Sequence, residues 1–141
     1  MAQAYVPSGR NISGASEFFD RLAQADLPVP MRTLIRESLT VLLEDDGETT
    51  KPDTASFVAL LRFLRQHPDL PPPSIGVTSA GYFLAGWQDA TLRFTLEFMR
   101  AGHVRRVRVE DAGDGKKRVS SELTFIEQIT LPERIPLNVV C

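Results

Sequence analysis

Apolar and polar positions follow two different periods along this chain. Up to about residue 67 they recur every three and four residues, as on one face of a helix; from Ser74 onward they alternate, as on a half-buried strand. The first helical stretch is expected to start near Ser13 or Ser16, either able to cap it, and to reach about Ala25, with Phe18, Phe19 and Leu22 inward. "DLPVP" interrupts the chain, and Pro30 suits the first turn of a second helix whose stripe reads Met31, Leu34, Ile35, Ser38, Leu39 and Leu42. A third helix, capped by Asp53 or Thr54 and ending near Gln66, offers Phe57, Leu60, Leu61 and Leu64, flanked by Val58 and Phe63. "HPDLPPPS" ends it, and the prolines at 71–73 favour a stiff extended connector.

Beyond that connector Phe83, Ala85 and Trp87 share one strand face, and Leu92, Phe94, Leu96 and Phe98 share one face of the next. A third strand is expected from His103 to Glu110, where Val104 falls out of phase with Val107 and Val109 and suggests a bulge, or an edge with both faces partly covered. "EDAGDGKK" reads as a hairpin turn, "RVSS" as a fourth short strand, and "ELTFIEQIT" as a last helical stretch stopped by Pro132. Helices first and strands later specify an α+β fold. The expectation is one domain over residues 1–141: a flexible arm over 1–12, a helical part over 13–67 packed on a three- to four-stranded antiparallel meander over 74–121, then a short C-terminal helix and apolar tail over 122–141. Leu34, Leu39, Leu42, Leu60, Leu64, Leu92, Phe94, Leu96 and Phe98 are the expected core.

Composition narrows the classes. With 141 residues, 43% hydrophobic and 24% charged, the chain suits one globular core. A net charge of −2 weighs against a dedicated nucleic-acid binder. The lone cysteine, Cys141, excludes an intrachain disulfide. No apolar run approaches the roughly 18 residues a bilayer span needs, and the N-terminal residues lack the apolar segment of a signal peptide, so a soluble cytoplasmic protein with no membrane association is expected.

Candidate chemistry is sparse. His67 and His103 have no sequence context that marks them as catalytic, and no spacing of His, Cys, Asp and Glu resembles a metal site, so neither metal nor cofactor is expected. "GDGKK" lacks the glycine spacing and the following Ser or Thr of a phosphate loop. The acids of "EDDGETTKPD" read as a solvated loop. One local basic feature stands out, "RAGHVRRVRV", with Arg105, Arg106 and Arg108; strand alternation sets Arg106 and Arg108 on one face. It sits in a half of the chain, residues 71–141, that is nearly balanced at nine Lys/Arg against eight Asp/Glu. Such a patch suits phosphate, a partner's acidic surface, or the protein's own carboxylates. The second candidate is the apolar end "RIPLNVVC", with Ile135, Leu137, Val139 and Val140. It can add as a strand to a partner's sheet or pair with the protein's own meander.

A glycine-led strand reaching Trp87 ("GYFLAGW"), a strand ending in Glu-Phe ("LRFTLEF") and a valine-rich strand after glycine ("GHVRRVRV") together resemble the meander of small bacterial proteins of the two-gene, toxin–antitoxin type. The resemblance covers residues 74–110 and carries over no functional residues. Together with the lack of catalytic groupings, the small size, the mildly acidic charge and the apolar tail, it points to a non-enzymatic interaction protein, most concretely the neutralising partner of a bacterial toxin, with a protein partner and a homodimer as the associations in view. A small hydrolase or nuclease with a spatially assembled site, and a weak nucleic-acid binder using the Arg strand, are the alternatives.

Overall fold

The computed structural model describes residues 9–44, 52–132 and 135–136, with side chains from residue 16 onward and up to residue 43 in the first segment. Three helices, α1 (Gly9–Gln24), α2 (Val29–Glu44) and α3 (Thr54–Gln66), precede five strands: β1 (Ser74–Val77), β2 (Phe83–Gln88), β3 (Leu92–Phe98), β4 (His103–Gly113) and β5 (Lys116–Phe125). The strands form one antiparallel sheet in sequence order. The fold is α+β.

The core lies between the helices and one face of β1–β3. Phe83, Ala85 and Trp87 of β2 and Phe94, Leu96 and Phe98 of β3 are fully buried, against Phe57, Leu60, Phe63 and Leu64 of α3. Phe18 of α1 joins this layer, its ring centroid 5.4 Å from Phe57 and 5.6 Å from Phe83. Such offset and edge-on contacts add to the stabilisation from area burial alone.

A polar clamp ties α3 to the sheet. The Asp53 side chain accepts a hydrogen bond from the Ser56 N–H at 2.9 Å, capping α3. The buried Ser56 hydroxyl accepts from the Phe83 N–H at 2.7 Å and donates to the Phe98 carbonyl at 2.5 Å. Phe83 and Phe98 are register partners, so one serine bridges β2 and β3 where their own ladder would otherwise close. The proline connector is anchored as well, since Trp87 Nε1 donates to the Pro71 carbonyl at 2.7 Å.

Five expectations are corrected. The sheet has five strands, because the short "SIGV" segment pairs with β2 as β1; four residues are too few to display a period. No helix spans "ELTFIEQIT". Residues to Phe125 continue β5, paired with β4 as far as His103, and only Ile126–Gln128 make a single 3-10 turn. Leu123 and Phe125 satisfy a period of two as well as a helical one, and β4 supplies the hydrogen-bonding partner that decides between them. No bulge accompanies the phase change at Val104: the register is regular there, Val104 pairs with Phe98 and is fully buried on the inner face while Val107 and Val109 face outward, and the register irregularity lies at Asp111/Gly113. Leu34 is 44% exposed and Leu42 half-buried, since α2 presents the narrower stripe Met31, Ile35 and Leu39 to the core. Helix α1 also begins at Gly9, earlier than either serine cap, so the arm expected over 1–12 is helical from that point, and residues 1–8 lie outside the described residues.

The β4–β5 hairpin turns through Asp114 and Gly115, at φ 55° and 73°. A type I′ turn needs positive φ at both central residues, which is why Asp-Gly serves here. This hairpin carries the sheet beyond the helical layer.

Candidate functional site

On the helix-facing side of the sheet the chemistry changes at β4. Val104 is apolar and buried, but the next positions on that face are Arg106, Arg108 and Glu110, opposite Glu122, Ser120 and Arg118 of β5. Among the described residues no helix packs closely over this part of the sheet, and a charged ladder takes the place of apolar side chains.

The arginines divide by face. Arg105 points to the outer side, and its Nε is 3.6 Å from Glu97, its register partner on β3. Arg106 and Arg108 share the inner face. Arg106 Nη2 lies 3.0 Å from Glu122, and its Nη1 donates to the Thr130 carbonyl at 3.1 Å. Arg108 Nη2 donates to Glu110 at 3.0 Å, and Glu110 is also 3.7 Å from Arg118. The Nε atoms of Arg106 and Arg108 are buried without a hydrogen-bond partner. These two arginines, with Glu110 and Asp111, form one wall of a groove of about 600 Å³ closed on the other side by Thr130, Leu131 and Pro132. Because carboxylates within the same sheet neutralise the guanidiniums, a phosphate would have to displace them. The groove is a salt-bridged ladder rather than an open cationic patch.

The apolar end turns back at its start. Ile129, Leu131 and Ile135 pack against the core and Pro136 is buried. Leu137, Val139 and Val140 lie outside the described residues. Of the tail candidates only Ile135 lies among the described residues, and it packs on its own chain without entering a strand ladder.

Both histidines are tethered. His67 Nδ1 is 3.0 Å from the Phe63 carbonyl, and His103 Nδ1 is 3.0 Å from the Arg100 carbonyl. A carbonyl only accepts, so in each ring Nδ1 carries the proton. Each ring also lies on an aromatic side chain, His67 on Phe63 and His103 on Phe125. Among the described residues no group of three or more His, Cys, Asp or Glu is placed to hold a metal ion, and no helix is long and apolar enough to cross a membrane.

Two surfaces are not evident from the sequence. The first is the outer face of the β4–β5 hairpin, where Val119, Leu123 and Phe125 are 63%, 56% and 46% exposed beside half-buried Val107 and Val109. Its signal was the alternation in "RVSSELTF", hidden by the helical spacing of the same apolar residues. The second is a groove of about 220 Å³ between α1 and α3, with Arg21, Arg62 and Arg65 around Ala25, Val58 and Leu61. Arg62 and Arg65 are one turn apart on α3, and only the packing of α1 brings Arg21 beside them.

Comparison with protein-family models, with curated proteins and with solved structures finds no match to this chain.

Proposed function

We propose that this protein is a non-enzymatic interaction module that docks a protein partner on the outer face of the β4–β5 hairpin. Its most concrete form is the neutralising partner of a bacterial toxin. The observation that carries the reading is the exposed apolar strip Val119, Leu123 and Phe125 on a hairpin that extends past the helices. Exposed apolar side chains clustered on one face mark association surfaces more often than scattered ones do. Arg93 and Arg105 border the strip on the same face, and Arg105 is half-exposed despite its pairing with Glu97. The partner surface suited to this face has an apolar centre and an acidic rim. Arg106 and Arg108 project from the opposite face and cannot join Arg105 in one contact; a role for them requires a partner, or the remainder of the tail, in the groove beside Thr130.

The test is co-expression of the full chain with the untagged product of the adjacent gene, followed by affinity purification. The partner is expected to co-purify with the wild-type chain and to be lost with Leu123→Asp and Phe125→Asp, while thermal melts of both variants stay close to wild type. Undiminished capture by both variants would refute this face as the docking surface.

A further inference from the structure

Strand β5 is the edge of the sheet, and nine of its ten residues are exposed. Among the described residues no strand pairs with its outer side. It contains neither proline nor a bulge, and is guarded by charged side chains instead. Its charges are ordered: Lys116, Lys117 and Arg118 at one end, Glu122 toward the other. A strand polarised in this way opposes like charges when it pairs parallel to a copy of itself and opposite charges when it pairs antiparallel. Antiparallel self-pairing is also the arrangement a two-fold axis generates.

We propose that β5 pairs antiparallel with β5 of a second copy of this chain, with Ser120 on the two-fold axis, joining two five-stranded sheets into one. Facing residues in an antiparallel pair must point to the same side. With Ser120 opposite Ser120, Arg118 of each copy faces Glu122 of the other, and this happens twice. Their side chains are 72% and 56% exposed, so each can reach across while remaining beside its own-chain partner, Glu110 and Arg106 respectively. On the other face Lys117 lies opposite Leu123 and can lay its aliphatic stem along it, while Val119 and Leu123 of the two copies become diagonal neighbours. The backbone ladder and the added apolar contact supply the association. Exposed ion pairs contribute little energy of their own, but they select this register. Pairing along the edge touches the outer face assigned to the hetero-partner only at Val119 and Leu123, and leaves Phe125, Val107 and Val109 open to that partner.

Sedimentation of the full chain over a range of concentrations tests the proposal. The wild-type chain is expected to reach twice the chain mass. Arg118→Glu and Glu122→Lys, each placing like charges opposite one another twice, are expected to weaken self-association about tenfold or more. The combined Arg118→Glu/Glu122→Lys chain should regain it; because within each chain the exchange sets position 118 opposite Glu110 and position 122 opposite Arg106, thermal melts showing the fold retained accompany this reading. Ser120→Glu should also yield monomer, because it sets two carboxylates on the axis; within one chain position 120 lies opposite Arg108, so thermal melts should show the fold retained. A wild-type chain that remains monomeric at every concentration overturns the proposal. So does a dimer that persists in both single variants, or one that the double exchange fails to restore. Phe125→Asp separates the two surfaces, since Phe125 lies beyond the self-paired stretch 116–124, and it should leave the dimer intact even where capture of a hetero-partner is lost.

Discussion

Replacing Ser56 by alanine removes one oxygen atom and should cost the protein a large share of its stability. The hydroxyl is the hydrogen-bond partner of the Phe83 N–H and also donates to the Phe98 carbonyl. Ser56 is 1% exposed and both phenylalanines are fully buried, so water cannot take the place of the lost oxygen. A buried donor left unsatisfied costs about 1–3 kcal/mol, and the carbonyl loses a favourable bond as well, so a total of about 2–3 kcal/mol is expected. The unfolding entropy of a chain of 141 residues is about 0.3 kcal/mol/K, which converts this loss to a fall in Tm of about 6–10 °C. Thermal unfolding followed by circular dichroism measures it. Thr40→Ala is the control, since the Thr40 hydroxyl bonds only to the Arg36 carbonyl at an exposed site, and it should change stability by less than about 0.5 kcal/mol. A fall in Tm below about 2 °C for Ser56→Ala would show that the hydroxyl does not bridge the two strands.

In the core, Phe94→Ala should cost about 3–5 kcal/mol, whereas Leu34→Ala, at an exposed position of α2, should cost less than about 1 kcal/mol; denaturant unfolding of the two variants reads both, and equal losses would contradict the assignment of α2's buried stripe. Removal of residues 134–141 should destabilise the isolated chain by about 1–2 kcal/mol, because Ile135 packs against the core. An unchanged melt would mean that this contact contributes nothing.

The helical half was legible from spacing wherever a stripe was unambiguous. Phe57, Leu60 and Leu64 repeat at three and four residues and are all fully buried, and Asp53 is the cap its position suggested. Alternation over Leu92–Phe98 likewise fixed which face of β3 is inward. The misreadings cluster where a short apolar run fits two periods or where an element is too short to have one. Residues 122–125 could join a helix or a strand on their own pattern; pairing with residues 103–106, about twenty positions earlier, chose the strand. That information is non-local, and so is the Ser56 bridge, which joins positions 27 and 42 residues apart in the chain.

The candidate site was legible as residues but not as an arrangement. "RVRV" shows that Arg106 and Arg108 share a face. It does not show that the face is the continuation of the core layer, or that carboxylates of β4 and β5 lie within 3.0 Å of both guanidiniums. A cluster of arginines in a sequence therefore over-reports positive potential whenever the sheet pairs it with acids. The converse holds for β5, whose "KKRVSSE" reads as an ordinary solvated segment until its position at the sheet edge is known. There its charges are met on one side by β4 and on the other by no strand among the described residues, and the same ladder rule that pairs Glu122 with Arg106 within the sheet would match Arg118 to Glu122 across a two-fold axis.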